Sequence, residues 1–114
     1  NERRRTRERN LPSTLKATEW IKIKSYFNNA CAYCGVSEKD HLKKNNERLH
    51  QEHFIPLLKG GTHDKNNIIP SCRSCNSSKA NNDFNEWYSK QECYSEKREM
   101  KILSYLNSLQ KISY

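Results

Sequence analysis

The sequence predicts a small α+β domain in which a four-cysteine metal site holds two short strands and several helices together. Its 114 residues fall within the length of one domain. Two Cys-x-x-Cys pairs lie on either side of a segment with two short apolar runs, separated by Gly-Gly and Asn-Asn turn signals. Apolar residues at helical spacing come before and after that segment, which favours flanking helices.

The composition excludes several classes of protein. Only 33% of the residues are hydrophobic and 30% are charged, so a chain this small buries a modest core and needs an additional cross-link. The apolar runs, such as "FIPLL", are too short to span a bilayer. No apolar segment follows the basic residues at the start, so we expect an intracellular protein that is not secreted.

The charge points to a polyanionic partner. The net charge is +8 and the pI is near 9.4. We expect no membrane partner, because no basic helix carries a strong apolar face. Residues 1–10 are predicted to form a flexible basic arm, for which a nucleic-acid contact, a solvated tail and the end of a longer helix are all open.

Four of the five cysteines form two hooks, and Cys93 stands alone. The hooks are Cys31-x-x-Cys34 and Cys72-x-x-Cys75. Without an export signal, disulfides are not the default state of these thiols. Two such hooks are typical of a structural zinc ion bound by four thiolates. The alternatives are buried free cysteines or a redox pair, and the second lacks a thioredoxin-like βαβ pattern.

Helical spacing predicts a first helix over residues 19–28. Its inward face would carry Trp20, Ile23 and Phe27, and Thr18 is a candidate N-cap. The polar stretch 37–48 has no apolar period and is predicted to be a loop.

The central segment predicts two strands followed by a helix. The first strand is expected over residues 49–55, Gly60-Gly61 marks a turn, and "IIP" forms the second strand. Ser71 is the candidate cap of a helix that begins at the second hook and runs to about Ala80.

Two helices are predicted over residues 83–110. Asp83 would cap a short helix that contains Phe84, Trp87 and Tyr88. Ser95 would cap the last helix, whose apolar stripe consists of Ile102, Leu103, Tyr105, Leu106 and Leu109.

Three side chains in this segment have the chemistry of an active site. Glu52 and His53 are neighbours on the predicted strand, so they point to opposite faces. Asn76 follows Cys75 in the first turn of the predicted helix, where the cysteine site would hold it rigidly. A carboxylate and an amide oxygen form an incomplete ligand set for a hard cation, and a histidine can take a proton from water.

These motifs resemble those of the HNH endonucleases, also called His-Me finger or ββα-metal nucleases. The segments "EHFIP", "GG", "NNIIP" and "CRSCNSSK" follow the order and spacing of that family, in its zinc-stapled branch. The resemblance is specific over residues 31–79. Over residues 83–110 the chain is similar to the tails of phage and bacterial members, which implies the cytoplasm or nucleoid of a bacterial host.

The resemblance implies a role for each matching position. His53 would be the general base for hydrolysis of a DNA phosphodiester, and Glu52 and Asn76 would hold one Mg²⁺ or Mn²⁺ ion. Asn67 would brace the loop and orient His53. Most members place Asp where this chain has Glu52, whose extra methylene moves the carboxylate about one bond further out.

The remaining expectations concern DNA contacts and the other histidines. Candidate phosphate contacts are Arg3, Arg4, Arg5 and Lys79, and His41 and His63 are expected to be solvated. His50 would share a strand face with Glu52, so an approach to the metal or DNA is open, although a surface role is expected. Residues 11–114 would form a single nuclease domain with its core at 31–79. The alternative is a zinc-stapled DNA-binding module without activity, and the sequence leaves monomer and dimer open.

Overall fold

A computed structural model describes residues 14–112, and the side chains among them up to residue 107. The predicted basic arm, with Arg3, Arg4 and Arg5, lies outside the described residues, and the division into an arm and one domain stays a prediction. The elements are α1 (Ala17–Tyr26), α2 (Glu38–Asn45), β1 (His50–His53), a 3₁₀ turn (Leu57–Lys59), β2 (Ile68–Ser71), α3 (Arg73–Lys79), α4 (Phe84–Tyr88) and α5 (Glu96–Ile112).

The centre of the molecule is a two-stranded antiparallel sheet with a helix directly after it. β1 pairs with β2 so that His50 lies opposite Ser71 and His53 lies opposite Ile68. Every residue of β2 is buried. Because α3 begins two residues after β2 ends, it packs back against β1. The predicted α+β class and its ββα unit are confirmed.

The flanking helices supply a large part of the apolar core around this unit. α1 buries Ile23, α4 buries Trp87 and Tyr88, and α5 buries Ile102. Of the stripe predicted for α5, Leu103 is instead 38% exposed, and the Leu109 side chain lies outside the described ones. Within the described residues, no helix combines the length and the apolarity needed to cross a membrane.

Two predicted helix caps are wrong. α1 starts after Lys16, whose backbone N–H donates to the Glu19 carboxylate over 2.9 Å, so Thr18 lies inside the helix. α3 is capped by Cys72, since its sulfur accepts from the Cys75 N–H at 3.4 Å. Ser71 belongs to β2, and the cysteine hook itself supplies the cap that Ser71 was expected to provide.

The segment predicted to be a loop contains helix α2. The Ser37 hydroxyl accepts from the Asp40 N–H at 3.1 Å and starts the helix, which ends at Asn46 in the left-handed conformation with φ 53°. The helix has no apolar stripe and is fixed instead by one buried polar side chain, His41. The search for apolar residues at helical spacing therefore missed α2.

The strand β1 is shorter than the predicted 49–55.

The N-caps predicted for the last two helices, Asp83 and Ser95, differ in outcome. The Ser95 hydroxyl accepts from the Arg98 N–H at 3.2 Å at the start of α5, as predicted. Asp83 stands at the N-cap position of α4, as predicted, but its carboxylate makes no capping bond and instead accepts from Lys59 Nζ at 2.9 Å. Asp83 thus joins α4 to the 3₁₀ turn.

Glu38 ties α1 and α2 to the residue before β1, which makes it a test of how the helices support the sheet. Its carboxylate accepts from Lys24 Nζ at 3.1 Å and from the Leu49 N–H at 3.1 Å. Burial alone would raise the pKa of Glu38, but the bonds from Lys24 and Leu49 outweigh it and lower the pKa.

We expect Glu38→Gln to lower the free energy of unfolding at pH 7 by about 1 kcal/mol, because the ionic part of these bonds is lost. A carboxyl whose pKa is depressed on folding stabilises the protein above its unfolded pKa, and this contribution disappears as the pH falls through the folded pKa. Urea unfolding should therefore separate wild type from variant at pH 7 and bring them together near the acid limit. A difference that stays constant with pH would contradict this account.

Candidate active site

The four hook cysteines converge on one point. Their sulfur atoms all lie within 4.8 Å of one another, and Cys34 Sγ is 3.7 Å from Cys72 Sγ. A tetrahedral ion with metal–sulfur bonds near 2.3 Å separates its ligand sulfurs by about 3.8 Å, so the arrangement fits a metal ion. In each hook the first sulfur also accepts a backbone N–H from the second cysteine. These four cysteines are placed to bind a metal, as predicted.

The chemistry of the cluster favours a cation at its centre. Hydrogen bonding to the Cys34 thiol, followed by Cys72, lowers the pKa of Cys31. Hydrogen bonding to Cys31 raises the pKa of Cys75, because neighbouring thiols cannot all ionise alone. A divalent ion removes this conflict and allows four thiolates.

Tyr33, inside the first hook, links the cysteine cluster to Glu52. Its side chain is fully buried, and its hydroxyl donates to Glu52 Oε2 over 2.8 Å. Burial raises the pKa of Tyr33 and so does the Glu52 charge, which keeps the phenol protonated as the donor. The Tyr33 carbonyl accepts from Tyr88 Oη at 2.6 Å and from Arg98 Nε at 2.8 Å. Helices α4 and α5 thus fix the position of the first hook, and the Tyr33 side chain of that hook binds Glu52.

Lys79 lies beneath the strand. Its side chain is 0% exposed, and Nζ reaches Glu52 Oε2 at 3.5 Å and the carbonyls of His53 and Phe54 at 3.3 and 3.0 Å. A phosphate cannot reach this ammonium from solvent. The predicted DNA contact by Lys79 is therefore replaced by a buried role, in which it offsets the Glu52 charge and binds the end of β1.

His53 stands at the end of β1 beside a second histidine. His53 Nε2 is 2.9 Å from His63 Nδ1, and the ring centroids are 5.1 Å apart. Each imidazole has two nitrogens, and the pair uses one nitrogen of each ring. The His63 carbonyl accepts from the Thr14 hydroxyl at 2.8 Å, which ties this loop to the segment before α1. A histidine paired in this way has a fixed ring orientation.

Asn67 closes the loop that carries His63. Its amide oxygen accepts from the Ile55 N–H at 2.8 Å, and its Nδ2 donates to the carbonyls of Ile55 and Thr62, each at 2.9 Å. The two glycines make this closure possible for different reasons. Gly60 ends the 3₁₀ turn at φ 90°, and a Cβ on Gly61 would collide with the Ile55 carbonyl and lie 2.8 Å from Asn67 Nδ2.

Asn76, in the first turn of α3, faces His50 on β1. Its Nδ2 is 2.9 Å from His50 Nδ1. Lys79 follows Asn76 by three residues on α3, and Glu52 follows His50 by two residues on β1. Lys79 contacts Glu52 in the same way as Asn76 contacts His50. These two contacts place Glu52 and Asn76 on the facing surfaces of β1 and α3. A carboxylate and an amide oxygen so placed are oxygen donors of the kind that Mg²⁺ and Mn²⁺ prefer.

Sequence reasoning missed the contacts of His41 and His63. His41 is 2% exposed: its Nδ1 donates to the Glu47 carbonyl at 2.8 Å and its Nε2 accepts from the Arg73 N–H at 3.0 Å. It thus joins α2 to the start of α3, and the expectation that it is solvated is wrong. The signal for His63 was its place between the Gly-Gly and Asn-Asn pairs, which fold the loop back onto the end of β1.

Comparison with known proteins agrees with this geometry. Residues 31–82 match the family described as HNH endonuclease. The chain is 39% identical over 107 residues to a Bacillus subtilis (strain 168) protein named "SPbeta prophage-derived putative HNH endonuclease YoqL". The alignment covers 89% of this chain and 45% of that relative, so the chain spans about half of the relative's length. The predicted resemblance to the HNH endonucleases is confirmed.

Proposed function

We propose, from the match of residues 31–82 to the HNH endonuclease family, that this chain hydrolyses phosphodiester bonds of DNA with the help of a divalent cation. The observation that carries the proposal is the packing of α3 on β1. It sets Asn76 and Glu52 on the facing surfaces of α3 and β1, and Glu52 is next to His53 in the sequence. The net charge of +8 suits a polyanionic substrate.

In this proposal each side chain has one task. His53 is the general base that takes the proton from the attacking water, and its bond with His63 holds the ring. Asn67 acts on the loop, since it binds the backbone on both sides and positions His63 and His53. Glu52 and Asn76 hold one Mg²⁺ or Mn²⁺ ion.

The bound ion supplies Lewis-acid chemistry, namely stabilisation of charge on the scissile phosphate and the departing 3′ oxygen. The products would be 5′-phosphate and 3′-hydroxyl ends. We assign zinc to the four cysteines, where a closed thiolate site has a structural task. A phage-derived relative also favours action inside a bacterial cell.

The direct test is incubation of the zinc-loaded protein with supercoiled plasmid DNA, with and without Mg²⁺ or Mn²⁺. Nicked circles or linear DNA should appear only with the divalent ion, and end-labelling should find phosphate on the 5′ ends. The second candidate function is a zinc-stapled DNA-binding module, which the buried contacts of the Glu52 carboxylate favour. Tight binding without cleavage under either ion would support that function.

Among the residues that the structure describes, Arg73 is a basic side chain placed to replace Lys79 as a DNA contact. It is the first residue of α3, three residues before Asn76, and its side chain is 64% exposed. Arg73→Ala should weaken binding to duplex DNA several-fold. It should also reduce the slope of log K against log salt by about 1, since one phosphate contact is lost.

Fluorescence anisotropy at several salt concentrations, in a His53→Ala background that prevents cleavage, measures both effects. Lys22→Ala is the matched control, because Lys22 is exposed on α1, which contributes no side chain to the proposed site. Equal affinity and equal salt slope for the two variants would remove Arg73 from the DNA-binding surface.

A further inference from the structure

We infer that Glu47 and His50 are positioning residues that fix the side-chain amide of Asn76, so that its oxygen faces the divalent ion. The inference rests on the proposed function, because it concerns the same ion. Two short contacts connect the loop before β1, β1 itself and α3. Glu47 Oε1 lies 3.0 Å from His50 Nε2, and His50 Nδ1 lies 2.9 Å from Asn76 Nδ2.

The two hydrogen bonds that connect Glu47, His50 and Asn76 have one consistent arrangement of their hydrogen atoms. The contact with His50 lowers the pKa of Glu47, which is therefore an ionised acceptor at neutral pH. His50 Nε2 must then carry the hydrogen. In the neutral ring Nδ1 is left with a lone pair, and this lone pair accepts from the amide NH₂ of Asn76.

This arrangement selects one of the two orientations of the amide. An asparagine amide can turn over at little cost when its two ends meet water equally. Here the NH₂ end is held by His50, so Oδ1 points away from His50. An amide oxygen binds a hard cation, whereas the NH₂ end does not. His50 thus settles in advance which end of Asn76 the ion meets.

The backbone around Glu47 is itself fixed. The hydrogen bonds from Glu47 through His50 to Asn76 therefore start from a rigid position. The Glu47 carbonyl accepts from His41 Nδ1 at 2.8 Å, and His41 Nε2 accepts from the Arg73 N–H at 3.0 Å. Two histidines therefore connect Glu47 to the first turn of α3, His41 through backbone atoms and His50 through side chains. The His41 bridge sets the helix, and the His50 bridge sets the side chain of Asn76.

Substitutions at His50 can separate the two contacts. His50→Ala removes both. His50→Asn keeps an oxygen near the position of Nδ1 and can still accept from Asn76. His50→Gln extends to the position of Nε2 and can still donate to Glu47, but it has no acceptor at the position of Nδ1. Glu47→Ala leaves the imidazole without its anchor.

The experiment measures Mn²⁺ binding to the zinc-loaded proteins in the absence of DNA, by electron paramagnetic resonance of the free ion. Loss of a residue that orients a metal ligand typically weakens affinity by about 10–100-fold. We expect His50→Ala and His50→Gln to lose affinity in this range, Glu47→Ala to lose less, and His50→Asn to stay within a few-fold of wild type. Zinc content and thermal unfolding should change little in all four.

A second readout needs no divalent ion. The side-chain NH₂ protons of Asn76, observed by ¹⁵N-correlated NMR, should shift in His50→Ala and return toward the wild-type position in His50→Asn. If Asn76→Ala abolishes Mn²⁺ binding while His50→Ala binds like wild type, the positioning role is overturned and the proposed ion site stands. If wild type shows no Mn²⁺ binding that depends on Asn76, the proposed ion site fails and the positioning role with it.

Discussion

Replacing His53 by alanine should reduce DNA cleavage by at least about 10²–10⁴-fold, which is the contribution typical of a general base. The fold should survive, because His53 is not one of the four sulfur ligands and its backbone contacts to Lys79 and Ile68 remain. DNA binding should also survive, since most of it is electrostatic. Rates of plasmid nicking under saturating Mg²⁺ measure the effect.

The informative controls are zinc content, thermal unfolding and DNA affinity of the same variant. His63→Ala should cost less than His53→Ala, because His63 acts only by holding the neighbouring ring. Asn76→Ala should also abolish cleavage, and added Mg²⁺ should restore part of it, since a ligand of the ion is missing. Cleavage at the wild-type rate by His53→Ala would refute the proposed mechanism.

The second large effect is expected at the cysteine cluster. Cys72→Ser removes one sulfur ligand, while the serine hydroxyl can still accept the Cys75 N–H at the start of α3, so the loss is that of the metal site. In small zinc domains metal binding supplies about 10–16 kcal/mol of folding free energy, which is comparable to or larger than the roughly 5–15 kcal/mol that holds most proteins folded. The variant should therefore be unfolded or aggregated, and should retain no tightly bound zinc.

Cys93→Ser is the matched control, because Cys93 is not one of the four cysteines whose sulfur atoms converge. It should keep about one zinc ion per chain and unfold cooperatively. Elemental analysis and circular dichroism of the two variants give the comparison. A Cys72→Ser protein that folds cooperatively without zinc would show that the cluster is not needed for folding.

Local pattern was enough to predict much of the fold. The two Cys-x-x-Cys hooks specified the metal cluster, since three-residue spacing turns both sulfurs of a hook to one side. The apolar spacing in α1 and α5 placed Ile23 and Ile102 in the core. Turn residues and apolar runs also specified the order of strand, loop, strand and helix around the site. Such features depend on neighbours in sequence, so the sequence carries them directly.

Helix α2 marks the limit of that reasoning. It has no apolar period, and its signals were a serine cap at Ser37 and acidic residues in the first turn. What stabilises it is His41, which binds one backbone atom at Glu47 and another at Arg73. The second partner is 32 residues away, so periodicity could not predict that this polar residue would be buried.

The same reason applies to the candidate site. The sequence by itself determined which residue types come together: Glu52, His53 and Asn76 within one ββα unit. Only the tertiary structure decided the partner of each: Tyr33 and Lys79 for Glu52, His63 for His53, and His50 for Asn76. A buried polar group must be satisfied by whatever donor or acceptor the packing brings near it. The partner depends on how α3, the first cysteine hook and the loop that carries His63 pack against β1. It does not depend on the spacing of residues along the chain.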